Sequence, residues 1–379
     1  MELVHILLIV LGGALVLGNT VARGREAVTT IQSEDGDVIE CIAIQKQPAF
    51  DHPALRNHTI QLAPTHDYQS GKRRPEKRQP LAPPQPWRRS GSCPHGTIPL
   101  RRRRPPKIST ESTSAGQLLL EESPNYMRKN RSRAVLMAAG YIYSGVKGDI
   151  KVWNPNVEDD DYSVSHVGLT SGGRHDFENI RSGWMVNPKF YGDRVTRLFV
   201  YWTVDGSNQT GCFDLSCSGF VQTSKEIALG AAINPITLPG ELTSEITIYI
   251  SRDAVTGNWW VEYGEGTYLG YWPRELFGLL AAGGAETAEW GGEVYSPKLG
   301  QRPHTTTAMG SGRPPDPVWG SSGSVKRIRV LENSAELRFP QYVSTYTDEF
   351  NCYDVEYWSD YMPDPEFYYG GPGRSYKCP

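Results

Sequence analysis

Glu289 and Glu293 stand four residues apart in Thr287–Val294, read T-A-E-W-G-G-E-V, with Trp290 and the Gly291-Gly292 pair between them. Side chains alternate faces along an extended strand, so residues four apart point the same way. An undisturbed strand therefore sets both carboxylates on one face of a sheet, and a bulge at the glycine pair would spoil that register. Two acids on one concave face can supply general acid and general base if their surroundings separate their pKa values. The same spacing also fits a half-buried strand with two solvated acids, and short patterns of this kind are not specific by themselves.

The elements around this stretch read as β. The chain has 379 residues, a net charge of −3, and many glycines (39), prolines (28) and tyrosines (20), a balance that favours short strands joined by tight turns. Near-neutral charge argues against a nucleic-acid partner. From Ala134 onward about a dozen β segments follow one another, separated by turn signals such as Asp205-Gly206, Thr256-Gly-Asn258 and Gly310-Ser-Gly312. Arg274–Ala282, behind Pro273, is the one helical stretch. This pattern predicts a large antiparallel β-sandwich or jelly roll. Trp184, Tyr201, Trp202 and Trp290 admit two readings: core packing with cross-strand pairing, or an aromatic cleft that holds a peptide or sugar chain.

Leu3–Leu17 is an apolar run opening the chain, followed by small residues up to Ala22, which predicts a signal peptide over 1–22 and a secreted protein with no later membrane span. Residues 23–128 form an N-terminal unit, small β or α+β in character, with a basic, proline-rich linker around Lys72–Arg78 and an arginine run at Arg101–Arg104 that reads as an exposed processing site. Residues 129–379 form the main domain. Six cysteines allow 15 pairings; local spacing suggests Cys212–Cys217 and Cys352–Cys378, leaving Cys41–Cys93. No CxxC pair or histidine cluster supports a metal site, and no cofactor motif is present. Sequons at Asn57, Asn130 and Asn208 are expected glycosylation sites on a secreted chain.

Several ordered strings resemble the neprosin family of plant secreted glutamic endopeptidases. They include Gly183-Trp-Met-Val-Asn-Pro188, Tyr191-Gly-Asp193, Gly211-Cys-Phe-Asp-Leu-Ser-Cys217, Gly270-Tyr-Trp-Pro273, Ala288-Glu-Trp-Gly-Gly-Glu-Val294 and Tyr368-Tyr-Gly-Gly-Pro-Gly-Arg374. Gln45-Lys-Gln-Pro-Ala-Phe-Asp-His-Pro53 and Cys93-Pro-His-Gly-Thr-Ile-Pro99 are similar to the family's activation peptide. The resemblance implies a secreted zymogen that cleaves peptide bonds in acid, often after proline, with two glutamates facing each other across a cleft; the chain is expected to act as a monomer. It assigns one of these roles to Glu289, with Glu293 as the competing assignment. The position of the second glutamate holds Arg181, in Ile180-Arg-Ser-Gly-Trp184. A guanidinium stays protonated and has no lone pair, so it is neither a workable base nor a workable acid. Glu178 lies three positions away and faces the opposite side of a regular strand. The alternative to a peptidase is an inactive relative that binds a peptide, proline-rich for instance, or a cell-wall polymer in the same cleft.

Overall fold

A computed structural model of the chain describes residues 25–65, 83–103, 130–173, 176–240, 243–317, 320–332, 336–359 and 364–379. The segment 1–22 assigned to a signal peptide, the linker Lys72–Arg78 and the domain boundary at 128/129 lie outside them.

Three antiparallel sheets account for the strands. The N-terminal sheet holds β1 (Ala27–Gln32), β2 (Val38–Ala43) and β3 (Thr97–Arg101). The main domain is a sandwich, as the alternating pattern predicts. Its first sheet runs β17-β4-β14-β6-β7-β8-β9, from β17 (Val343–Thr347) through β4 (Arg131–Tyr143), β14 (Ala285–Tyr295), β6 (Tyr162–Gly172), β7 (Phe177–Val186) and β8 (Arg197–Thr203) to β9 (Cys212–Phe213). The second runs β10-β13-β12-β11-β5-β15-β19-β18 and is built on β5 (Gly145–Lys151), β11 (Glu245–Arg252), β12 (Trp259–Tyr263), β13 (Thr267–Trp272) and β15 (Gly323–Leu331). Smaller strands complete it: β10 (Val221–Gln222), β16 (Leu337–Arg338), β18 (Asp354–Trp358) and β19 (Glu366–Gly370). The predicted helix at Arg274–Ala282 is two pieces, a 3-10 turn at Arg274–Leu276 and a single α turn at Leu279–Ala282. Glu178 accepts from the backbone N–H groups of Gly278 (2.7 Å) and Leu280 (2.8 Å), so it fastens this turn and is turned away from Arg181.

The core lies between the two large sheets. Trp184 and Trp290 are fully buried there, and each indole N–H donates across the gap at 2.9 Å, to the carbonyls of Lys151 and Lys147 on β5. Large apolar area is thereby buried without an orphaned donor. Strand alternation then fixes the rest: with Trp290 and Ala288 facing inward, Glu289 and Glu293 face outward.

Three disulfides join Cys41–Cys93, Cys212–Cys217 and Cys352–Cys378, with Cα separations of 5.4, 5.9 and 5.1 Å. Asn57 and Asn130 are exposed and Asn208 is half-buried. No helix among the described residues is long and apolar enough to cross a membrane.

The N-terminal unit is built into the main domain. Gln47 and Gln222 exchange two hydrogen bonds (3.1 and 2.7 Å), as do Gln85 and Ala228 (2.8 and 2.7 Å). Trp87, Ile31 and Ile39 share an apolar cluster with Ala228 and Ala231. Asp37 is buried against Arg197 (2.7 Å) and Arg101 (3.0 Å), and Asp193 closes the network on Arg197 at 2.6 Å. Arg101 is therefore not the exposed cleavage residue that the arginine run predicts: it is 7% exposed, because two carboxylates offset the desolvation of its charge. Arg102 pairs with Glu40, and Arg103 lies 4.3 Å over the Phe190 ring. Cleavage is accordingly expected beyond Arg103, within 104–129. Because the interface is a shared core, both fragments should co-elute on size exclusion after such a cut; fragments that separate under native conditions would refute this. Asp37→Ala should destabilise the intact chain by about 3–5 kcal/mol in urea, since it strands two buried guanidiniums on one remaining acid.

Candidate active site

The outer face of the first sheet is concave and carries the charged residues. Register is regular through Gly291 and Gly292 against both β4 and β6, so no bulge interrupts the strand there and Glu289 and Glu293 share a face, as the spacing predicts. The glycines are needed for close approach. A Cβ on Gly291 would lie 2.4 Å from the Ala134 carbonyl, and one on Gly292 would lie 2.7 Å from Met309. Across the strands, Glu289, Gly168, Arg181 and Tyr201 stand in one row. Gly168 leaves the place between Glu289 and Arg181 clear; a Cβ there would meet the Arg181 Cβ at 3.2 Å.

Arg181 does not turn along that row to Glu289. It reaches diagonally to Glu293, donating from both terminal nitrogens at 3.1 and 3.2 Å, the two-point geometry that suits a guanidinium and a carboxylate. Its guanidinium stacks 4.7 Å over Tyr201. Tyr162 donates to Glu293 at 2.8 Å, and Arg131 lies 3.6 Å from it. Burial pushes the Glu293 carboxyl up, but the charges of Arg181 and Arg131 and the Arg181 hydrogen bonds prevail and hold it far below the usual carboxylate range. Burial likewise opposes the charge on Arg181, and Glu293 more than reverses it.

Glu289 has a different partner. His166 Nε2 lies 2.9 Å from Oε1 of Glu289, and the imidazole is wholly buried. Burial again pushes Glu289 up, while its interaction with His166 and the charges of Arg133 and Arg181 bring it below the usual range. Arg133 is held in turn by Asp348 (3.5 Å) and stacks on Tyr346 (5.0 Å). Glu289, Arg181, Arg133, Asn179, Thr170 and Asp348 line a cleft of about 440 Å³.

The aromatic residues expected in the cleft are elsewhere. Trp184 and Trp290 face the second sheet, and Trp202 is 5% exposed, packed at the edge of the same core against His52 and Phe277. Inward-facing positions of a sandwich are where large rings lose most contact with water, so the plainer reading of these residues holds. Tyr201 is on the concave face, but it lies buried beneath Arg181. His166, Arg131, Arg133 and Tyr162 escaped the reading of the sequence. The one signal for His166 was a polar residue inside the apolar alternation of β6, and its partner is 123 residues distant.

What the face can do chemically follows from its protons. Two carboxylates sharing a cleft would raise one pKa and leave a proton to donate. Here Glu293 is matched by guanidinium and phenol donors, Glu289 faces His166, and both carboxyls are held below the usual range, so neither is set to keep a proton for donation. The matched pair is also a stability element. Glu293 is depressed when folded, so its contribution is complete above the unfolded value near 4.3 and is lost as pH falls below it. Arg181→Met should cost on the order of 3 kcal/mol at pH 6 by urea denaturation, and the gap to wild type should narrow at pH 3; a gap independent of pH would mean that the loss is one of packing.

The sequence model of the neprosin family matches residues 159–372, and that of the neprosin activation peptide matches residues 30–137. Scytalido-glutamic peptidase, solved with a peptide-based transition state analog, is similar at 12% identity over 63% of this chain and 98% of that one, with a TM-score of 0.33. SCP-B, a member of the Eqolisin family of peptidases solved with the tripeptide Ala-Ile-His, is similar at 10% identity over 64% and 98%, with a TM-score of 0.27.

Proposed function

Since the chain belongs to the neprosin family and carries that family's activation peptide, we propose that it is a secreted peptide-binding protein on a glutamic-peptidase scaffold, with its acid chemistry silenced at Arg181. The observation that carries the reading is the two-point pairing of Arg181 with Glu293. A peptidase of this type needs one carboxyl protonated to donate and one ionised to accept. The guanidinium at position 181 can do neither, and Glu293 is consumed by its two arginines. Glu289 remains as the carboxylate that lines the cleft, placed to accept a backbone N–H of an extended, proline-containing peptide. Secretion is supported by the apolar run Leu3–Leu17 and by the three disulfides.

A second reading is slow hydrolysis with Glu289 as a lone general base. Its ionised state and its place on the cleft wall favour it. It would operate best at weakly acid to neutral pH, not in strong acid.

One comparison separates these readings. The acid-treated secreted chain, Arg181→Glu, and Arg181→Glu with Glu289→Gln are incubated with a fluorogenic proline-containing peptide between pH 3 and 7. Arg181→Glu should cleave in acid at least about 10²-fold faster than wild type, the usual contribution of one acid–base group, and the added Glu289→Gln should remove the gain. Calorimetric titration should show wild type binding the uncut peptide. Wild type cleaving as fast as Arg181→Glu would place the dyad elsewhere.

A further inference from the structure

His166 sits on β6 with no exposed surface, against Glu289, which lines the cleft. Nε2 faces Glu289 Oε1 at 2.9 Å, and among the described residues the buried Nδ1 has no hydrogen-bond partner. No hydrogen bond from a described residue reaches the second oxygen of Glu289. We propose that His166 is a positioning residue for the cleft: its imidazole, spent entirely on Glu289, fixes that carboxylate as an ionised acceptor with the other oxygen left for ligand.

The reasoning is one of proton placement. A buried N–H without a partner costs about 1–3 kcal/mol. The neutral ring protonated on Nδ1 carries that cost and turns a lone pair toward the carboxylate. The imidazolium carries an unpaired Nδ1–H as well. The neutral ring protonated on Nε2 leaves only a bare Nδ1 lone pair unanswered, and its one N–H donates to Glu289. A proton on Glu289 would forfeit the charge-assisted hydrogen bond. The groups facing this pair do not supply an alternative proton. Arg131 and Arg133 on β4 and Arg181 on β7 stay charged, Glu293 on β14 is held ionised, and Tyr162 on β6 is pushed far above its ordinary range by burial and by Glu293. Asp348, beyond β17, is taken up by Arg133 and Tyr346.

The inference rests on reading Glu289 as the ligand acceptor, and its test is independent of ligand. The full secreted chain is labelled with ¹³C at glutamate carboxyls, the Glu289 signal is identified by its loss in Glu289→Gln, and its titration is followed in wild type, His166→Leu and His166→Gln. In wild type, Glu289 should titrate below the ordinary glutamate range. In His166→Leu, which keeps volume and removes the donor, the midpoint should rise by at least one pH unit. His166→Gln, whose amide N–H can replace Nε2, should restore much of the wild-type value. An unmoved midpoint in His166→Leu, or no restoration by glutamine, would overturn the assignment. Should His166→Leu fail to fold, the ring ¹⁵N shifts of wild type decide: the neutral Nε2-protonated form supports the proposal and the Nδ1-protonated form refutes it. A chain that passes this test yet binds no peptide refutes only the functional reading.

Discussion

The buried pairing of Arg181 with Glu293 constrains everything on the concave face. Each group is nearly inaccessible, and each would be untenable alone: removing a charge of this kind from water costs several kcal/mol unless a partner and further hydrogen bonds answer it. Glu293 gathers Arg181, Arg131 and Tyr162, and Arg181 gains the face of Tyr201. Tyr201 in turn is bonded to Ser207 at 2.5 Å, and Arg131 donates to the same hydroxyl at 3.0 Å. The result is a closed ring of contacts over β14, β4, β6, β7 and β8. Such a ring fixes the floor of a cleft, and it also withdraws from chemistry the groups that form it.

Period-two alternation made much of this legible. It placed Glu289 and Glu293 on one face, put Glu178 on the other side from Arg181, and foresaw a sandwich. It did not say which glutamate Arg181 would meet. Glu289 shares its row across Gly168, yet the long side chain runs diagonally to Glu293, where both terminal nitrogens find a carboxylate oxygen. Nor could it weigh the tryptophans. A ring on a strand is equally written for a cleft or a core, and only the facing sheet, with carbonyls at Lys147 and Lys151 ready to accept indole N–H groups, decided for the core. Arg101 failed for the same reason: four consecutive arginines look solvated until Asp37 and Asp193 arrive from 64 residues before and 92 residues after.

The N-terminal unit shows how the same logic joins two parts of the chain. Its contacts with the main domain are of the kind found within a domain: paired amides on backbone, a shared apolar cluster around Trp87, and a carboxylate buried between two arginines. Among the described residues, those before Arg131 do not line the Glu289 cleft. The unit therefore supports the edge of the scaffold at β8, β10 and β13, where Asp37 pairs with Arg197 and the Arg197 guanidinium lies over the Tyr191 ring.

Charge balance gives the cleft its chemical character. Arg131, Arg133 and Arg181 contribute three positive charges, and Glu289, Glu293 and Asp348 contribute three negative ones, so the set sums to zero. Zero by itself would allow acid–base work, since a dyad sharing one proton is also balanced. The difference lies in what balances each anion. In a dyad the neutralising charge is a proton, which can leave; here it is a guanidinium, which cannot. The same strands, the same Glu-x-x-x-Glu spacing and the same glycines thus describe a surface that accepts hydrogen bonds, where an exchangeable proton would have made it a catalyst.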